Sequence, residues 1–433
     1  MVSSKEEKQM MRKTNMRIFP IYKQLGWDFL FFYTIDFLFL TQIKGISASD
    51  VVLKSAFYAF FSIIVQIPAN IIVEFLGRKN SIILANVLNC VYMVIIMISR
   101  NLFDLIVAEF FDAIAFAIKN VAEPSLLNES IPPSRYKSQI YSKINAKGTS
   151  GYYFINSISK IIAGFLFAIN GYIPMVCSLV VLIFVTILSI GFIEPVRKKK
   201  KSSSKLMYME QIKDVKDGFA FILKSERLKA LILCAGLVDA LIWLLSTYHV
   251  SLQEELRLSS IVIGIVATIG AFISSYASKK QNQFHNKFRN RSLYKISILV
   301  SVSTIFAGIF GIKAEGNIVL LLIVILAFLL YSFCVGVFNT IIDRYLRNFA
   351  NQSIDTKIFA AKNLFKSIFR MVTSLFAAFL LTKTTTAYCM IILGVIFTII
   401  YVLVGKYMKG RVGLKPEEYS SIEKKYDELS GNS

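Results

Sequence analysis

The chain has 433 residues, 55% of them hydrophobic, a mean hydropathy of +0.59 and a formal net charge of +22. That is more apolar surface than a soluble protein of this length can cover, and a bilayer removes the difficulty because it is itself apolar. The five cysteines, Cys90, Cys177, Cys234, Cys334 and Cys389, stand singly in apolar stretches with no Cys/His cluster. This argues against a disulfide framework and a zinc site, and no metal or cofactor is expected.

Residues 1–17 are basic and polar. The apolar run after them is too long for a signal-peptide core and is followed by no A-x-A-like cleavage site, so they read as a retained cytoplasmic end. A spanning helix needs about 20 mostly apolar residues. Such stretches fall at 18–43, 51–75, 80–99, 102–127, 140–168 and 171–193, then at 229–250, 258–277, 293–312, 317–342, 359–382 and 385–407. Between the two sets lies a linker, 194–228, with the run Arg197-Lys198-Lys199-Lys200-Lys201 and an amphipathic stretch from Met207 to Lys224. The expected fold is an all-α integral membrane protein of about twelve transmembrane helices in two pseudo-symmetric six-helix bundles. The expected domains are 1–193, the linker 194–228 with its surface helix, 229–408, and a cytoplasmic tail 409–433.

The lysines and arginines test this order. With the N-terminus cytoplasmic, 38 of the 49 lie on the cytoplasmic side or at the span ends facing it. Five lie in external loops and six inside spans. Positive residues concentrate on the cytoplasmic side of membrane proteins. The basic excess therefore faces the anionic lipids of that leaflet, both termini are cytoplasmic, and nucleic acid is not needed as a partner. Shifting the first half by 211 residues lays Asp28 on Asp239 and Ser49 on Ser260, as expected for parallel repeats.

An ionisable group in the bilayer interior costs roughly 2.5–3.5 kcal/mol or more, so each needs a reason. On span four, Glu109, Asp112, Lys119 and Glu123 share an arc of about 80° at 100° per residue, so they face a cavity or partner helices rather than lipid. Depth matching at about 1.5 Å per residue sets Lys160 of span five beside Glu109 and Asp112, and Lys147 beside Glu123. Asp28 and Asp36 lie on span one, Asp239 on span seven, and Lys366 and Arg370 one turn apart on span eleven. Two readings stand: structural ion pairs that join helices, or carboxylates that bind and release a proton. The second applies best to Asp28, Asp36, Asp112 and Asp239, which have no cation on their own helices at pairing distance. His249 reads as an interfacial residue. The aromatics Trp27, Tyr33 and Trp243 lie near these acids and suit either packing or an amphipathic substrate.

Between spans two and three the chain reads Asn70-Ile71-Ile72-Val73-Glu74-Phe75-Leu76-Gly77-Arg78-Lys79. This resembles the Gly-x-Leu-Ala-Asp-Arg-x-Gly-Arg-Lys loop of the major facilitator superfamily, with Glu74 for the aspartate, Asn70 for the first glycine and Phe75 for the first arginine. The end of span four, Ala122-Glu123-Pro124-Ser125-Leu126-Leu127-Asn128-Glu129-Ser130, is similar to bacterial exporters of that group, although Glu109 replaces an arginine usual early in this helix. The drug–proton antiporter motif of span five is absent. The resemblance implies a secondary transporter whose bundles rock about a central cavity, with Glu74, Gly77 and Arg78 as a gating loop. The reading is proton-coupled export, an antiporter-type efflux, of a small amphipathic drug, peptide or metabolite. Its partners are protons (or another cation) and the lipid bilayer, and the protein is a monomer in the cell membrane. The alternative is a proton-coupled nutrient importer. A membrane-bound transferase fits less well, since the chain has only His249 and His285 and no ligand cluster, and no ATP-binding signature occurs. A non-transporting receptor is the remaining rival.

Overall fold

The computed structural model describes residues 3–195, 204–288, 291–349, 355–409 and 411. The basic run 197–201 and most of the tail lie outside these residues. Among the described residues the protein is helical, without strands. The helices are α1 (Ser3–Gly26), α2 (Asp36–Leu38) with a π-turn at Phe39–Ile43, α3 (Ala48–Leu76), α4 (Arg78–Ile98), α5 (Leu102–Ser130), α6 (Lys137–Ile169) and α7 (Tyr172–Ile190). They continue with α8 (Ser204–Lys224), α9 (Glu226–Glu255), α10 (Ser260–Phe288), α11 (Ser292–Gly311), α12 (Ile318–Phe349), α13 (Asp355–Leu381) and α14 (Thr386–Met408).

Ten of these are long and apolar enough to cross a membrane. The two expected spans that fail do so for different reasons. α5 has the length, 29 residues, but carries Asp104, Glu109, Asp112, Lys119, Glu123 and Glu129. The first stretch, 18–43, is not one helix. α1 stops at Gly26, and the chain runs through turns until a short α2 and its π-turn resume. Phe31 there takes φ +64°, a left-handed value uncommon for a bulky side chain. Glycine is a natural helix stop, and the aromatics after it lose side-chain freedom in a helix. Here they pack instead: Phe29 lies 5.6 Å from Phe32 and 5.1 Å from Tyr92, ring centre to ring centre. Irregular backbone at membrane depth survives only where protein covers it, and Phe29, Leu30, Phe32 and Ile35 are all buried.

The chain divides into two compact units, Met1–Ile46 with Phe57–Met209 and Ser260–Ile265, and Ser47–Ala56 with Glu210–Ser259 and Val266–Ser433. In the first, α4 packs on α5 and α7, and α1 packs on α5, α6 and α7. Phe19, Tyr22, Val73, Ile82, Ile118, Leu126, Val185 and Phe192 fill its core. In the second, α9 is the central helix, packed by α11, α12, α13 and α14. It is largely buried, and between Ala230 and Gln253, Asp239 is its one charged residue. α11 and α14 approach closely because Gly308 lacks a Cβ: one added there would sit 2.6 Å from the Ala387 carbonyl oxygen. Small residues let helix backbones meet in this way where lipid supplies no hydrophobic drive.

Candidate functional site

The break in the first span exposes helix-end carbonyls and sets Asp28 just beyond them. An α-helix leaves its last carbonyls without partners, and a cation there is stabilising. Lys119 of α5 supplies one, donating from Nζ to the Gly26 carbonyl. The same ammonium lies 3.7 Å from Glu123 and over the Tyr22 ring. Tyr22 in turn donates to Glu123 Oε1 at 2.9 Å. Lys147, expected beside Glu123, is exposed, and Glu123 takes its cation from its own helix.

Asp28 accepts from the Phe29 backbone N–H at 3.0 Å. The Tyr33 and Tyr152 side chains lie close enough to act on it electrostatically, as do the cations Lys119 and Lys160. Asp28 is an acid that acts on Lys160, which depth matching sets beside Glu109 and Asp112. Trp27 lies edge-on to Tyr152 at 5.0 Å and Tyr153 at 5.5 Å, with Lys23 Nζ 4.8 Å from its ring centre. Glu109 and Asp112 are buried, as their shared stripe requires. Both act electrostatically on Tyr92, as do Asp28 and Asp36. Tyr33 feels Asp28 and Asp112. The five sequence candidates of the first half are thus linked electrostatically: Asp28, Asp36, Glu109 and Asp112 through Tyr92, and Lys160 through Asp28.

In the second unit Asp239 has firm partners. Lys366 Nζ and Arg370 Nε of α13 each lie 2.6 Å from one of its carboxylate oxygens. The Arg370 guanidinium stacks 4.2 Å from the Trp243 ring. Cations one turn apart clamp a single carboxylate, a geometry the spacing of Lys366 and Arg370 allows and a lone helix cannot show. His249 stacks on Phe328 at 4.0 Å and meets Tyr331 at 4.4 Å, so it packs among aromatics of α12.

At the loop between α3 and α4, Gly77 has φ +91° and ψ 169°, a conformation essentially reserved for glycine. Arg78 bridges Glu74 at 2.7 Å and Glu129 at the end of α5 at 3.0 Å. Glu194 caps α4, accepting from the Arg78 and Lys79 backbone N–H groups at 2.8 and 2.7 Å. Carboxylates suit helix N-termini because both the free N–H groups and the helix dipole attract negative charge. Asn15 completes this end of the unit. Its amide donates to Ser130 Oγ and to the Ile193 carbonyl, and accepts from Ile193 N–H.

A family model described as Major Facilitator Superfamily matches residues 25–354. The chain belongs to the major facilitator superfamily. Solved structures of the fold include the nucleoside transporter NupG, 10% identical over 93% of this chain and 98% of that one, with a TM-score of 0.67. A bacterial homolog of the human lysosomal transporter Spinster is 14% identical over 93% and 98%, TM-score 0.66. A D-xylose–proton symporter is 13% identical over 94% and 99%, TM-score 0.63. No curated protein matches the sequence. As a major facilitator the chain is a multi-pass membrane protein and a secondary transporter of a small molecule, not an enzyme.

Sequence reasoning missed several residues that a major facilitator of this sequence uses structurally. Glu129 and Glu194 hold the Gly77 loop, Tyr22 donates to the buried Glu123, and Tyr92 and Tyr152 lie within electrostatic reach of the buried acids. Glu129 stands in the quoted end of span four, 51 positions from Arg78. Glu194 is 116 positions from its partner Arg78, and nothing in the sequence links them.

Proposed function

We propose that this major facilitator exports a small amphipathic compound by alternating access, driven by proton entry, from the cell membrane with both termini cytoplasmic. It acts as a monomer built of the domains 1–193 and 229–408 joined by the linker 194–228. The observation that carries the reading is the interruption of the first span at Asp28. There a carboxylate on an irregular stretch of backbone lies within electrostatic reach of Tyr33, Tyr152 and two lysines, Lys119 and Lys160. Binding sites of repeat-built transporters gather at discontinuous helices near mid-membrane. In this reading Asp28 exchanges a proton for an ammonium neighbour as the surrounding helices move. Asp36, Glu109, Asp112 and Lys160 set the field around it, and Trp27 and Tyr33 receive the apolar part of the substrate. Asp239 with Trp243 is the corresponding element of the second half, and Glu74, Gly77 and Arg78 gate the loop.

The test is transport in proteoliposomes with an imposed pH gradient, run against a substrate panel. Asp28→Asn keeps the shape and removes the titration. It is expected to abolish gradient-driven flux while substrate exchange continues. Wild-type proton and substrate flux in both Asp28→Asn and Asp239→Asn would make these acids structural. A second reading, uptake of a nutrient, is supported by the fold shared with a D-xylose–proton symporter. Reversing the gradient in the same vesicles separates the two.

A further inference from the structure

A cavity of about 370 Å³ lies in the second unit between α8, α9, α13 and α14. Ile222, Leu223, Ile232, Leu233, Phe365 and Phe369 form its walls, with Lys229 and Tyr407 at the rim. Phe219 of α8 stacks 4.5 Å from Phe365, which seats the linker helix over this part of α13. The walls offer no hydrogen-bond partners, so ordered water gains nothing by entering. The cavity sits at the first turns of α9 and the last turns of α14, where two membrane-crossing helices meet the bilayer boundary. Hydrocarbon is the solvent available there.

The rim decides what kind of hydrocarbon. Lys229 Nζ and Arg411 Nε share one acid, Glu226, at 2.5 and 3.0 Å. Tyr407 donates to the same carboxylate at 2.7 Å. Two cations on one carboxylate leave a positive charge over, and the exposed Lys224 and Lys406 in the adjoining turns add to it. α8 itself presents exposed Met209, Ile212 and Leu223 interleaved with exposed Lys213, Lys216 and Lys224. With Glu210, Asp214 and Asp217 against its four lysines the helix is amphipathic and nearly neutral, so the surplus positive charge that anionic headgroups favour comes from Lys229, Arg411, Lys224 and Lys406. We infer that the cavity is a binding site for an anionic glycerophospholipid, one acyl chain between α8 and α13 and its phosphate at Lys229 and Arg411. The lipid would then fasten the linker helix to the second bundle, tying this part of the transporter to the charge of the leaflet around it.

The test uses the purified full-length protein in detergent. Phosphatidylglycerol, phosphatidylcholine with the same chains, and free palmitate are added in turn, and bound lipid is counted by native mass spectrometry. Phosphatidylglycerol is expected at one per protein, at least fivefold tighter than phosphatidylcholine. Leu233→Trp, which fills the cavity, should lose it. Lys229→Gln with Arg411→Gln should level the two phospholipids while keeping chain binding. Should Leu233→Trp fold poorly, phosphatidylglycerol with a diazirine on its acyl chain is crosslinked to the wild type, with Phe365 or Phe369 the expected labelled residues. Equal retention of phosphatidylglycerol by Leu233→Trp, no preference over phosphatidylcholine, binding of palmitate alone, or crosslinks only outside these helices would each overturn the assignment.

Discussion

Replacing Gly77 by alanine tests the geometry of the loop between α3 and α4. At φ +91° and ψ 169° an alanine is strained by about 1–3 kcal/mol. Its Cβ would also sit 2.6 Å from Glu194 Oε1, so the carboxylate must move. Moving it breaks two hydrogen bonds to the α4 N-terminus. Bonds to a charged group contribute about 1.5–3 kcal/mol each when buried, and Glu194 is only half-buried, so the pair is taken as about 2 kcal/mol. Gly77→Ala should therefore cost about 4 kcal/mol and Glu194→Ala about 2 kcal/mol. The double variant should also cost about 4 kcal/mol, because the hydrogen bonds are lost only once. The assay is reversible unfolding in mixed micelles of the wild type and the three variants. Additive costs in the double variant would show that the alanine does not act through Glu194. A Gly77→Ala protein within about 0.5 kcal/mol of wild type, the usual range of an indifferent surface change, would refute the strain as well.

Asp239→Ala should lower the melting temperature in detergent, because it strands Lys366 and Arg370 in a largely apolar setting, and adding Arg370→Gln should restore part of the loss. A buried pair broken on one side costs about 3–5 kcal/mol, and the partial exposure of both cations places this case below that range. Lys119→Met removes the cation from the Gly26 carbonyl, so hydrogen–deuterium exchange of residues 27–35 should accelerate. Unchanged protection there would mean that the aromatic cluster alone holds the break. Finally, Asp28→Asn and Lys160→Met should be strongly non-additive in thermal stability, whereas Glu109→Gln and Lys160→Met should add. The reverse pattern would return Lys160 to the partner that straight helices predict.

The helical class, the membrane setting and ten of the twelve span positions were legible because hydropathy is local: about 20 apolar residues in a row announce themselves. The stripe on α5 was legible for the same reason, since one helix's geometry places Glu109, Asp112, Lys119 and Glu123 together. The break at Trp27–Ile35 was not. An apolar run reads the same whether it is helical or held open by Phe29, Phe32 and Tyr92 packing across elements, and only tertiary contacts tell the two apart. Depth along α5 and α6 compares Lys160 only with acids of those helices, so it could not bring in Asp28, which lies on the irregular stretch of the first span. Asp239 went the other way. Its two cations were both noted on span eleven, but which side of α13 they face depends on packing against α9.

The charge load of α5 has a consequence for how the protein is made. Offered to the bilayer alone, Glu109, Asp112, Lys119 and Glu123 would together cost about 10 kcal/mol on an insertion scale. The thirteen Leu, Ile, Phe and Val residues of the helix return only about 6 kcal/mol on the same scale. This segment therefore cannot enter as a solitary helix when it leaves the ribosome. It has to wait at the insertion machinery until Gly26, Tyr22 and Tyr92 on α1 and α4 can receive its side chains. Membrane entry and folding of the first bundle are then one event for α5, and a change that weakens α1 or α4 reaches the cell as a shortage of inserted protein before it is felt as a loss of transport.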